Sequence, residues 1–302
     1  MAEELPFKKT MSFAYGVPRE LAPGVVRIVA NNPNHFTFKG TNTYLVGTGA
    51  LALIDPGPDD PAHLDAILKA TGGRPISHVV ITHTHRDHTD GMPAALAATG
   101  AKTVGFGRRV ANPGARRTSA SGGEYVEKDF IPDVRLADGE RLAGEGWALT
   151  ALHTPGHAPD HLCFVLEGTK ILFSGDHVMG WNTSVVAPPE GNMAAYIRSL
   201  QLLTRRDDSI YFPGHGGQVE DPQRLVKAYL LHRRMREQAI LDCIREGHAT
   251  VRAIVPVVYK GLDPKLLNAA SLSVLAHVEH LIERGLVYCE TPLSADRALS
   301  VS

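Results

Sequence analysis

The sequence predicts an α/β fold in which two packed β-sheets carry helices on their outer faces, followed by a helical C-terminal unit with the outline of a winged helix. Three observations lead there. From Val25 to about Phe212, short β-branched and aliphatic runs alternate with Gly and Pro punctuation. Few amphipathic segments interrupt those runs, so strands outnumber helices. After Pro222 the pattern changes to long helical stretches ending in one short apolar run.

In chain order, strands are expected at 25–30, 42–47, 50–55, 77–82, 102–106, 147–152, 161–166, 170–176 and 209–212. Helices fit 59–70, where Leu64, Ile67 and Leu68 share a face, then 89–99, and 192–204 with Ile197, Leu200 and Leu203. The C-terminal helices are expected at 222–246, about 249–259 and 264–284, with Gly285 ending the last, before the strand 286–289. Leu272, Leu275, Val278 and Ile282 should form the buried stripe of the last helix. Three helices followed by a strand suggest a division into residues 1–221 and 222–302.

Composition narrows the function classes. The 302 residues carry 31 Lys+Arg and 32 Asp+Glu, so no net charge recruits nucleic acid or an anionic membrane. No apolar run approaches the length of a membrane span, and the opening MAEELPFKKT lacks the order of a signal peptide, which together predict a cytoplasmic protein without membrane association. Cys163, Cys243 and Cys289 are widely spaced, which argues against a disulfide framework or a thiolate zinc site. Histidine is the informative residue: of 15, eight fall in 78–88 and 153–177.

The expected strand 77–82 runs into THTHRDHTDG. His83 and His85 are two apart, so in an extended segment their rings leave the same side, while Asp87 and His88 follow in the turn. Three further fragments share this character: His157 follows a Pro-Gly turn, Asp176 ends the strand FSGD, and His215 ends YFPGHG. Imidazole and carboxylate donors suit zinc, with iron or manganese as alternatives.

The ordered series HxHxDH, H, D, H across residues 25–217 resembles the metallo-β-lactamase superfamily, specifically its glyoxalase II-like branch. That resemblance implies an αββα sandwich with the site at one edge, and two divalent metal ions. His83, His85 and His157 would hold one metal, Asp87, His88 and His215 the other, and Asp176 would bridge them. Asp55 in LIDPG matches the position whose carboxylate supports the ligand loop from behind, and His161 lies beside a ligand where it can orient one. Antibiotic-hydrolysing members usually have cysteine at the position of Asp176 or a non-ligand at that of His88, so β-lactamase activity is not the expected main function.

Paired metals would hold a water as hydroxide near neutral pH, with Asp87 orienting it and accepting its proton. An ester or thioester is the expected substrate. The 38 residues between Asp176 and His215 leave no room for the inserted domain of the mRNA-processing nucleases of the superfamily. The segments 36–47 and 175–186 and, loosely, the C-terminal pattern are similar to the β-lactamase-like protein 2 family, whose members are described as single-strand-selective endoribonucleases. Single-stranded RNA is therefore the alternative partner, tracked by Arg224, Lys227, Arg233, Arg234 and Arg236 or by Arg108, Arg109, Arg116 and Arg117. From Asp221 onward the chain holds 11 Lys+Arg against 9 Asp+Glu, slight for a nucleic-acid binder. A non-catalytic module with a structural metal is the third reading, disfavoured because structural zinc sites are closed and four-coordinate whereas seven candidates leave room for water. Thr41, Asn42, Asn182 and Thr183 are expected near the pocket.

Overall fold

A computed structural model describes residues 6–107 and 130–302. The basic group at Arg108, Arg109, Arg116 and Arg117 lies outside the described residues.

The first sheet has seven strands in sequential order: β1 (Arg19–Ala22), β2 (Val25–Val29), β3 (Asn42–Val46), β4 (Leu51–Ile54), β5 (Ile76–Val80), β6 (Lys102–Gly105) and β7 (Val134–Arg135). It begins as an antiparallel meander and becomes parallel from β4 onward. The second sheet is built from β8 (Arg141–Gly144), β9 (Trp147–His153), β10 (Leu162–Leu166), β11 (Ile171–Gly175) and β12 (Ile210–Pro213), in the order β12-β11-β10-β9-β8 with only β11 and β12 parallel.

Strand alternation divides the apolar residues between an inner and an outer face. On β4, Ala52 and Ile54 join Tyr44, Val80, Leu149, Phe164, Phe173 and Phe212 in the core between the sheets. Leu51 and Leu53 face the other way, against Ile67 of α1 (Pro61–Ala70) and Met92 and Ala95 of α3 (Met92–Thr99). On the far side, Cys163, Leu172 and Tyr211 pack against Tyr196, Leu200 and Leu203 of α4 (Met193–Leu203) and against Leu225, Val226 and Tyr229 of α5 (Pro222–Arg245). Helices thus cover both outer faces, giving the αββα sandwich, and explain why β3, β4 and β11 read as unbroken buried runs.

The expected helix at 89–99 starts only at Met92, and the residues before it form a separate short helix. The short helix, α2 (Arg86–Thr89), holds Asp87 and His88, and Gly91 separates it from α3 by sending its N–H to Gly57 O at 2.8 Å, with Pro93 in the first turn of α3.

The C-terminal unit comprises the end of α5, α6 (Val251–Val258), α7 (Leu267–Glu283) and the antiparallel pair β13 (Val287–Cys289) and β14 (Leu299–Val301). Its core holds Ile240, Ile244, Ile254, Val274, Val278, Leu281 and Leu299. The buried face of α7 is rotated from the expected stripe: Val278 is buried, Leu272, Leu275 and Ile282 are only partly so, and Ala270, Val274, His277 and Leu281 take the centre. Helix α5 belongs to both layers, its first half on the second sheet and its last turns in the C-terminal core. Among the described residues, no helix is long and apolar enough to cross a membrane.

Phe164 lies fully buried between the sheets, so Phe164→Ala should cost about 3–5 kcal/mol in reversible urea unfolding. A loss under about 1 kcal/mol would mean that the two sheets are not packed around this ring.

Candidate metal centre

All the candidate ligands leave strand ends at one edge of the sandwich. Parallel pairing of β4 with β5 matches Ile54 to Val80, so Asp55 emerges beside the loop that carries His83 and His85. Parallel pairing of β11 with β12 matches Gly175 to Pro213, which brings Asp176 beside His215. Strand β9 delivers the turn that carries His157. The carboxyl ends of parallel strands are where open α/β sheets form crevices.

His83 Nε2 lies 2.8 Å and His157 Nε2 2.9 Å from His85 Nδ1. Hydrogen bonds behind the rings fix two of the tautomers. His157 Nδ1–H donates to Val185 O at 2.6 Å, so its Nε2 presents a lone pair. The Thr82 hydroxyl donates to Asp55 Oδ2 at 2.7 Å, so its oxygen accepts from His83 Nδ1–H at 3.0 Å, and His83 Nε2 also presents a lone pair. A proton on His85 Nδ1 serves one of these lone pairs well, whereas a cation among the three nitrogens serves all. Burial, reinforced by the neighbouring imidazoles of His88, His85 and His157, holds the His83 pKa well below the ordinary histidine value. The ring is neutral, the form that ligates metal.

The second group contains the carboxylates. His215 Nε2 lies 3.1 Å from Asp87 Oδ2 and 3.2 Å from Asp176 Oδ2, and His88 Nε2 lies 3.4 Å from Asp87 Oδ2 and 3.5 Å from Asp176 Oδ1. Asp176 Oδ2 is also 3.8 Å from His157 Nε2, which places this carboxylate between the two groups. His88 Nε2 and Asp176 Oδ1 are buried without a hydrogen-bond partner among the described residues. Orphaned donor atoms of this kind, together with the convergent lone pairs, fit metal ions. Burial opposes charge on His215, but Asp176 and Asp87 overcome it and raise its pKa to about 10. Burial likewise works against charge on Asp87, and His88 and His215 overcome it, holding the carboxyl well below its usual range.

The supports lie one layer behind. Asp55 accepts from Thr82 N–H at 2.8 Å, from the Thr82 hydroxyl and from His88 Nδ1–H at 2.8 Å, so one carboxylate orients both halves of the loop. Its backbone is left-handed, φ 51°, a strained conformation for a side chain this firmly held. His161 Nε2 accepts Asp176 N–H at 3.1 Å, so its proton sits on Nδ1 and goes to Thr154 Oγ1 at 2.8 Å. Gly214 has to be glycine: a Cβ there would lie 2.4 Å from Asp176 Oδ1 and 2.7 Å from the His88 ring.

Of the expected pocket residues, the Thr41 hydroxyl lies 3.4 Å from Asp87 Oδ2. Asn42 turns its amide to Pro213 O and Gly216 O, at 2.9 and 2.8 Å, and ties β3 to the turn carrying His215. Asn182 is exposed and accepts Thr183 N–H at 2.9 Å with its own side chain, while its carbonyl meets the Tyr229 hydroxyl.

Sequence reasoning overlooks Thr82 and Asp160. Asp160 Oδ2 accepts from Thr84 N–H at 3.1 Å and from its hydroxyl at 2.7 Å, bracing the loop between His83 and His85. An acid directly before His161 was the available signal. Glu190, 3.9 Å from His85 Nε2, carries no spacing signal.

Comparison with known proteins agrees with this geometry. Residues 36–215 match the metallo-beta-lactamase superfamily, and residues 250–291 match the beta-lactamase associated winged helix domain. The chain is 34% identical to the beta-lactamase-like protein 2 homolog of Drosophila melanogaster, covering 88% of this chain and 90% of that one. It is 33% identical to the atrochrysone carboxyl ACP thioesterase of Aspergillus chevalieri, covering 84% and 79%. A beta-lactamase domain protein from Burkholderia ambifaria shares the fold with a TM-score of 0.82 at 19% identity, over 99% of this chain and 98% of that one. The chain therefore belongs to the metallo-beta-lactamase superfamily and is a metal-dependent hydrolase with a C-terminal winged-helix domain.

Proposed function

We propose that the protein is a dinuclear metal-dependent hydrolase acting on a thioester or ester, with residues 1–221 as the hydrolase domain and 222–302 as the winged-helix domain. The observation that carries this reading is the pairing of two donor groups, His83, His85 and His157 beside Asp87, His88 and His215, with Asp176 between them. Seven donors exceed what one four-coordinate ion uses, which argues against a closed structural site. Two divalent ions, zinc by donor type, would be held by these residues and, when bound, supply Lewis-acid stabilisation of the developing oxyanion and a water acidified to near neutral pH.

Asp87 is the catalytic residue in this reading. Its carboxylate is 18% exposed while the surrounding imidazoles are buried, so it is the acid of the cluster that an attacking water can reach, orienting it and accepting its proton. The Thr41 hydroxyl donates to Asp87 Oδ2 at 3.4 Å, and Asn32 Nδ2 in turn donates to Thr41 Oγ1 at 3.0 Å. Neutral His83, with His157 fixed by Val185 O, keeps the other half of the cluster free of competing protons.

The thioester class is supported by the 33% identity to a relative named as an acyl carrier protein thioesterase. Single-strand-selective RNA cleavage is the second reading, on the likeness to the beta-lactamase-like protein 2 homolog. The basic stretch of α5 supports it less than its composition suggests. Arg233 is 3% exposed, and Arg236 stacks 4.2 Å over Tyr259 and donates to Val258 O, which leaves Arg224, Lys227 and Arg234 exposed.

Thioester, ester and single-stranded RNA substrates should be assayed in parallel with the chelated and the metal-restored protein. Thioester hydrolysis that disappears on chelation and returns with metal is expected; RNA cleavage at a higher kcat/KM would overturn the substrate class. Asp87→Ala should lower kcat by about 10²-fold or more with metal content verified, and unchanged turnover would remove its role. Asp55→Asn should weaken metal binding about 10- to 100-fold through loss of charge behind His88, read by competition with a chelator; wild-type affinity would contradict the support assigned to Asp55.

A further inference from the structure

The segment 177–186, between β11 and α4, has no regular secondary structure, and side chains from two helices take up its carbonyls. From α4, Tyr196 donates its hydroxyl to His177 O at 2.9 Å, and Ser184 Oγ within the segment donates to the same carbonyl at 2.8 Å. From α5, the Tyr229 hydroxyl meets Met179 O and Asn182 O and receives Met179 N–H at 3.3 Å. One turn further along α5, Arg233 donates Nη2 to Ser184 O. The next carbonyl, Val185 O, is the one that accepts His157 Nδ1–H.

Arg233 is unusual for a helix-packing residue. Its guanidinium is buried, lies 5.1 Å over the Tyr196 ring, and has an Nε without a hydrogen-bond partner among the described residues. Burying a cation is costly, and an apolar side chain of similar length would fill the same space without that cost. What an apolar replacement lacks is the planar fork that grips a carbonyl while stacking on a ring.

We propose that Arg233, assisted by Tyr229, is a positioning residue through which helix α5 sets the orientation of the His157 ring. The chain of contacts is short: Arg233 fixes Ser184 O, the peptide that follows fixes Val185 O, and Val185 O fixes the tautomer and tilt of His157. Helix α5 thereby links the winged-helix domain to the metal centre by hydrogen bonds. The inference rests on His157 being a metal ligand, as proposed above.

The test is zinc binding by the full-length metal-free protein, measured by competition with a chelator and by stoichiometry, for wild type, Arg233→Met, Arg233→Lys and His157→Ala. Arg233→Met should weaken one metal equivalent about 10- to 100-fold and leave the other near wild type, with secondary structure intact. Arg233→Lys, which keeps the charge over Tyr196 but loses the fork, should weaken the same equivalent by a smaller factor, and it carries the test alone if the Met variant does not fold. His157→Ala should lose that same equivalent. If either folded Arg233 variant binds both equivalents with wild-type affinity while only its melting temperature falls, Arg233 is a packing residue and the proposal is wrong. If His157→Ala binds both equivalents normally, the ligand assignment beneath the proposal is what has failed.

Discussion

Everything at the active edge depends on crowding imidazole lone pairs against one another and one carboxylate against another. The lone pairs of His83 and His157 converge on His85, while the carboxylates of Asp87 and Asp176 crowd the buried rings of His88 and His215. In a low dielectric such groups separate unless a rigid frame opposes them and a cation stabilises them. The sandwich supplies the frame. Each donor sits within a few residues of a strand whose other positions are packed on both faces, so the donor cannot swing away without disturbing a core.

Asp55 shows how directly the frame reaches the donors. It follows β4 with a left-handed backbone and spends its carboxylate on Thr82 and His88, the residues on either side of the candidate ligands His83 and His85. His161 acts comparably on the other sheet by accepting the backbone N–H of Asp176. Backbone and side-chain supports of this kind fix tautomers as well as positions: the bond to Thr82 selects the tautomer of His83, while burial and the neighbouring imidazoles keep its ring neutral.

Much of this was legible in the sequence. The central strands were, because β4, β5 and β11 are short aliphatic runs bounded by turn residues, and so were the donors, because His and Asp gather where those runs end. The edge strands β1, β7 and β8 were not: they are exposed along much of their length, and two to four residues carry too little alternation to be seen. Strand β14 was missed for the same reason, since it gains its place only by pairing with β13. Helix α2 was hidden because residues chosen for their donor atoms carry no amphipathic pattern. Arg233 is the instructive case. By composition it is one of five basic residues on a helix, and only the fold shows that its charge is buried against Tyr196 and Ser184.

Helix α5 packs its first half on the second sheet and its last turns in the C-terminal core, so the sandwich and the C-terminal unit do not meet across a simple surface. The same helix that builds the C-terminal core holds the segment beside His157 through Tyr229 and Arg233. The claim on which all of this turns is that seven side chains hold two metals. Anomalous diffraction from crystals of the active, metal-loaded protein tests it most directly. Two peaks are predicted, one bonded to His83, His85 and His157, one to Asp87, His88 and His215, and both touching Asp176. A single peak, or peaks bonded to other residues in fully active protein, would contradict it.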